Sequence, residues 1–155
     1  MIGEKTPEVE AFWRDACEKH GITASDYHCS TFGDPRFADY GDHITELAMN
    51  ETKRATAHLA VDFEINNVKR RQEGDYWVIL WEDMKPACVL KMVKVEERPF
   101  KEVDAAFAAR EGEGDGSLEY WSRIHEDYFK LQLGVWGREW RDDLTVVLEA
   151  FDLVK

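Results

Sequence analysis

The chain has 155 residues, 44% hydrophobic and 34% charged, a balance that suits one globular domain with its own core and excludes a disordered chain. Its 32 acids outnumber 20 Lys and Arg, and the net charge of −12 excludes the simplest nucleic-acid binder, a basic surface lying along a duplex. A nucleotide-sized ligand or a locally basic groove stays open.

Cys17, Cys29 and Cys88 are an odd number at wide spacing, with no Cys-x-x-Cys and no metal-finger histidine pair. No disulfide framework is expected, and a reducing, cytoplasmic setting is. The acidic start MIGEKTPEVEAFW has neither the basic nor the apolar part of a signal peptide. No apolar run approaches the roughly 20 residues that span a bilayer, so no membrane partner is expected.

In chain order, Thr6-Pro7 opens a helix, Val9, Phe12, Trp13, Ala16 and Cys17 recur at helical spacing, and Gly21 ends it. Tyr27–Phe37, with Gly33, Asp34 and Pro35, reads as a loop. A second helix is predicted from about Asp42 to Lys53, with Ile44, Leu47 and Ala48 on one face, and Ala55–Phe63 is extended. Tyr76–Trp81 and Ala87–Glu96 make an antiparallel hairpin, with Val89, Val93 and Val95 on one face of its second strand. Phe100–Arg110 returns to helical spacing with Val103, Ala106 and Phe107 inward. The run 111–116 (EGEGDG) breaks it. A further helix from Ser117 carries Leu118, Trp121, Ile124, His125, Tyr128 and Phe129 in one stripe, and Thr145–Leu153 is the last strand. Strands and helices that do not alternate predict an α+β fold with a mainly antiparallel, barrel-like sheet. One domain is expected over 1–155, with 1–26 as an N-terminal helical extension.

Charge is uneven. Residues 1–50 carry a net of −6, residues 51–101 a net of +1 and residues 102–155 a net of −7. The near-neutral middle holds the sharpest local feature, 50–56 (NETKRAT). If the second helix reaches Thr56, Lys53 and Thr56 share a face, and an amine beside a hydroxyl is a base–nucleophile pair when a cation such as Arg54 keeps the amine neutral. A solvated helix end is the plainer reading of the same spacing. Glu113 and Asp115, alternating with glycines, read as a divalent-cation loop or as a solvated turn. His125, on the apolar stripe, reads as a hydrogen-bonded core histidine or as a site residue. Lys69-Arg70-Arg71 reads as a solvated loop. His28 and Cys29, adjacent but with no third partner, receive no role.

Lys53-Arg54-Ala55-Thr56-Ala57, Gly74-Asp75-Tyr76 and the string from Glu111 to Trp121, followed by Arg123, His125 and Phe129, resemble the ASCH domain family. The resemblance runs from about Phe32 to the C-terminus and implies a PUA-like β-barrel with flanking helices. The helix at 7–20 is similar to the N-terminal extension of longer bacterial members. One departure is visible: the family usually has a glycine one or two residues before the motif lysine, and Glu51-Thr52 stands there instead.

The resemblance implies one of two activities. Small bacterial members are amidohydrolases that remove acyl groups from the exocyclic nitrogen of cytidine. Others are linked to RNA binding and ribonuclease activity. Under the first, the catalytic residues are Lys53, Thr56 and Glu111, and Arg54, Trp77, Glu113, Trp121 and His125 surround the substrate. Lys53 then acts either as base or, if Glu111 keeps it charged, as stabiliser of the oxyanion. No metal or cofactor is expected, and the partner is a small nucleoside. An RNA-binding module or metal-dependent ribonuclease, with Lys53 and Arg71 on the phosphates, is the second candidate, and non-catalytic binding of a modified nucleoside the third. The aromatic region around Trp136 and Trp140 is the place to look for a homodimer.

Overall fold

In the computed structural model, which describes residues 2–155, the first helix is set by its caps. Helix α1 (Pro7–His20) starts where the Thr6 side chain accepts the Val9 N–H at 3.3 Å. It stops at Gly21, whose φ of +65° lets its N–H reach the Cys17 carbonyl. Val9, Trp13 and Ala16 are buried on one face, as their spacing predicts, and meet Val78, Leu80 and Val89.

Five strands form one curled sheet, a half-barrel, in the order β1-β3-β4-β5-β2. β3 (Tyr76–Leu80) and β4 (Pro86–Pro99) form the expected hairpin. β4 and β2 (Ala55–Leu59) each run antiparallel to β5 (Thr145–Leu153). The fold is α+β and its sheet is mainly antiparallel. β3 is apolar along its length because both its faces are covered: Trp77 and Ile79 join Phe32, Ile44 and Phe151, while Val78 and Leu80 lie under α1. Each such side chain contributes about 1.5–3 kcal/mol of burial.

Several local expectations are corrected. The Tyr27–Phe37 loop contains a short strand, β1 (His28–Ser30), parallel to β3. The second helix, α2, covers Gly41–Met49 only, because Glu51 turns left-handed at φ +65°. The extended segment splits into β2 and a short helix, α3 (Ala60–Ile65). The segment after β4 breaks into a 3₁₀ turn (Phe100–Glu102) and α4 (Ala105–Glu111), since the Asp104 side chain caps the latter by accepting the Phe107 N–H at 2.9 Å. Ala108, not Ala106, then faces the core. β4 shifts register between Met92 and Lys94, so Met92 is buried and Val93 stands out at 40% exposure.

Helix α5 (Leu118–Val135) is capped by Ser117 and buries Trp121, His125, Phe129 and Leu133. Trp136 and Trp140 pack against this same core, Trp140 edge-on to Phe100 at 4.7 Å between ring centroids. They are not the free aromatic surface the sequence suggested. No helix among the described residues is long and apolar enough to cross a membrane.

Candidate functional site

After α2 the chain leaves through Asn50, whose side chain accepts the Thr52 N–H at 2.9 Å, and through left-handed Glu51. Glu51 thus fills with a non-glycine residue the place where the family's glycine was missing. The Lys53 N–H returns to the Leu47 carbonyl at 2.9 Å, and the Arg54 N–H bonds the Arg110 carbonyl at 2.9 Å, tying this turn to the end of α4. Lys53 and Thr56 therefore do not share a helix face. One lies in a turn and the other on β2, and both reach the same cavity.

The glycines that follow Glu111 allow the close approach. Gly112, at φ +67°, caps α4, and a Cβ on it would collide with the Thr52 backbone. Gly112→Ala should cost about 1–3 kcal/mol, read as a lower Tm, because strain and collision add. Gly116→Ala, also left-handed (φ +74°) but with open space around it, should cost only about 1 kcal/mol.

Lys53, 1% exposed, donates to Glu111 Oε1 at 2.8 Å and to Glu113 Oε1 at 2.6 Å. Glu111 is fully buried, and its other oxygen accepts the Trp121 indole N–H and faces His125 Nε2 at 3.3 Å. Burial alone would lower the Lys53 pKa, but the two carboxylates more than offset it and hold the group raised, as an ammonium. Burial likewise opposes ionisation of Glu111, yet Lys53 and His125 keep it well below the usual carboxylate range. His125 places Nδ1 2.8 Å from the Trp121 carbonyl, so both its nitrogens face acceptors. Its pKa is raised: burial works against the charge, and Glu111 outweighs it.

These groups open onto a cavity that also touches Phe32, Tyr40, Thr56, His58, Asp62, Tyr128 and Gln132. Of the residues expected here, Lys53, Thr56, Glu111, Glu113 and His125 come together and three do not. Arg54 points outward to Asp152 at 2.6 Å, so it is not the cation that would neutralise Lys53. Trp77 is fully buried against Arg71 with its indole N–H on Ser30 at 2.9 Å, and Trp121 stacks on Phe100 and His125 in the core. Besides the histidines, the rings at the cavity belong to Phe32, Tyr40, Tyr128 and Phe129, the first two inside the segment read as a loop or just past it. The cation-loop reading is also corrected: Glu113 is spent on Lys53, and Asp115 accepts the Ser117 N–H at 2.9 Å. Among the described residues no three His, Cys, Asp or Glu side chains gather as a metal site would need.

Arg71 is not in a solvated loop. It is 2% exposed and forks onto Glu149, Nε to Oε2 at 2.6 Å and Nη2 to Oε1 at 2.9 Å, with Glu149 Oε1 2.7 Å from His58 Nε2. With Lys53 and Arg71 both buried in carboxylate pairs, neither is available to RNA phosphates. His28, given no role, bonds Asp75 at 2.8 Å and steadies the turn before β3. Beside the cavity, Gln132 Nε2 donates to Asp62 at 3.4 Å, and the buried Gln132 Oε1 has no partner.

A family model described as ASCH domain matches residues 28–155. The crystal structure of an ASCH domain from Lactobacillus crispatus JV V101 is similar, at 25% identity and a TM-score of 0.80 over 94% of this chain and 92% of that one. A protein from Enterococcus faecalis V583 is similar at 26% identity and a TM-score of 0.84, over 95% of this chain and 88% of that one. A hypothetical protein at 14% identity, with a TM-score of 0.54 over 83% of this chain and 98% of that one, shares the fold alone. None of the curated proteins matches the sequence.

Proposed function

This chain belongs to the ASCH domain family, and from that premise we propose that it is a hydrolase cleaving the amide of N4-acylated cytidine or cytosine. The observation that carries the reading is the convergence of the Thr56 hydroxyl and a buried Lys53 ammonium on one cavity. Thr56 Oγ attacks the acyl carbon, and the carbonyl oxygen, as it gains charge, meets the Lys53 ammonium in a site of low dielectric. Glu111 does not reach the substrate's leaving nitrogen in this scheme. Its oxygens are occupied by Lys53, Trp121 and His125, and its part is to hold the lysine in place and charged. Phe32, Tyr40 and Tyr128 offer faces for the pyrimidine ring. Asp62 and Gln132 offer acceptors for its hydroxyl or N–H donors.

Incubation with N4-acetylcytidine is expected to release cytidine and acetate, and Thr56→Ala to slow that release by about 10³-fold or more. Binding of the nucleoside without any release would make the protein a modified-nucleoside binder instead. RNA binding that weakens steeply with salt, without nucleoside turnover, would make it an RNA module.

A further inference from the structure

Lys53 as an ammonium has no lone pair to take the Thr56 proton, and His125, both of whose nitrogens face acceptors, has none either. His58, which also lines the cavity, has one to offer. We propose that His58 is the base that takes the Thr56 Oγ proton, an assignment that rests on the hydrolase reading above.

Thr56 and His58 are two apart on β2, so their side chains share a face, roughly 7 Å apart along the strand. Both touch the cavity, as does Ala57, which together with Leu59 also joins the core formed with α4 and α5. Thr56 pairs across the sheet with Glu149, which puts that carboxylate diagonally beside His58.

The tautomer follows from the contacts. A carboxylate oxygen 2.7 Å from His58 Nε2 requires a proton between them, so Nε2 is the donor. Arg71 Nη2, which has a second N–H to offer, lies farther from Nε2, at 3.2 Å, so the closer carboxylate decides where the ring proton sits. Nδ1 is left with its lone pair and, among the described residues, no hydrogen-bond partner. The charged groups facing the ring are Glu149 from β5, Arg71 from the segment before β3 and Asp62 from α3, and Phe63 and Trp77 close its other sides. Burial, with Arg71 adding to it, outweighs the two carboxylates and lowers the His58 pKa, which keeps the ring neutral. The logic is that of a serine-protease histidine with its two nitrogens exchanged: a carboxylate fixes one nitrogen as donor so that the other accepts.

The proton count closes. His58 Nδ1 takes the hydroxyl proton as Thr56 Oγ bonds the acyl carbon, directly or through one water, and the carbonyl π pair moves to oxygen beside Lys53. When the intermediate collapses, the C–N bond breaks and His58 returns the proton to the leaving cytosine nitrogen. Water then attacks the threonine ester, His58 takes its proton, and the Thr56 oxygen leaves with that proton as the carboxylic acid is released.

The test is steady-state hydrolysis of N4-acetylcytidine by the wild-type protein, His58→Gln and His58→Ala across pH 5–9. His58→Gln should lower kcat by about 10²–10⁴-fold with little change in KM and erase the acidic limb of the pH profile. Added imidazole should restore part of the His58→Ala rate, which a purely structural histidine would not allow. Independently of substrate and of how the variants fold, ¹⁵N spectra of the wild-type ring at neutral pH should show a protonated Nε2 and a bare Nδ1. An active wild type with His58→Gln within threefold of it overturns the assignment alone, as does a protonated Nδ1. A wild type that releases no cytidine overturns the hydrolase reading first, and the assignment with it.

Discussion

Replacing Lys53 with methionine should cost about 3–5 kcal/mol of stability and abolish turnover, because removing one partner of a buried ion pair leaves the other charge uncompensated. Lys53 and Glu111 are each about 1% exposed at the side chain, so neither can turn to water. Glu113, at 11%, has some access to water and loses less. Glu111 would retain only Trp121 and His125 as partners. For a chain of this length the loss corresponds to a Tm lower by roughly 6–20 °C. The double variant Lys53→Met/Glu111→Gln should regain part of that stability, since it removes the stranded charge, and none of the activity, since the oxyanion still lacks its cation. A single variant melting within 2 °C of wild type would show that the cluster is not the tight charge network its distances describe.

That cluster also marks where sequence reading succeeds and where it stops. Thr6, Pro7 and Gly21 bound α1 because a helix end is decided within three or four residues, and the Tyr76–Leu80 run announces a strand covered on both faces. Lys53 and Thr56 stood out as a local pair, but Glu111 was legible only through the family resemblance, since nothing local says that residues 58 apart will meet. β1 was missed for the same reason: three residues take their strand character from a partner nearly 50 positions away. Arg71 sits in what reads as the chain's basic triplet, and its neighbour Arg70 does behave so, reaching a half-exposed Glu97. Only the fold brings Glu149 to Arg71, across 78 residues, and with it the role of His58. The tryptophans failed differently. Composition shows that Trp77 and Trp121 are large and apolar but not which side of the core wall they occupy, and both turned inward.

Acid should unfold the protein through its buried carboxylates, and Glu149→Gln should blunt that dependence while destabilising the neutral protein by about 3–5 kcal/mol. In the fold Glu149 titrates at about 2: burial opposes its charge, and Arg71 followed by His58 overcome that. A carboxylate depressed in this way contributes stability that is complete above its unfolded value of about 4.5 and lost as pH falls toward about 2. Glu111 is lowered too and acts in the same direction. So does His58, whose lowered pKa leaves it neutral in the fold while the unfolded chain takes up a proton below about 6.5. His125 has the opposite sign. Raised by Glu111 against its burial, it contributes stability below about 6.5 that fades as pH climbs through its folded value. Urea unfolding between pH 2 and pH 8 should therefore show the wild type losing stability steeply below pH 5. Glu149→Gln should start lower, because the buried Arg71 charge loses its carboxylate, and fall less steeply from pH 5 to pH 2. The two slopes differ because one carboxylate no longer has a proton to gain on unfolding the acid-stressed chain, so equal slopes would mean that the Arg71–Glu149–His58 network does not govern the acid limit.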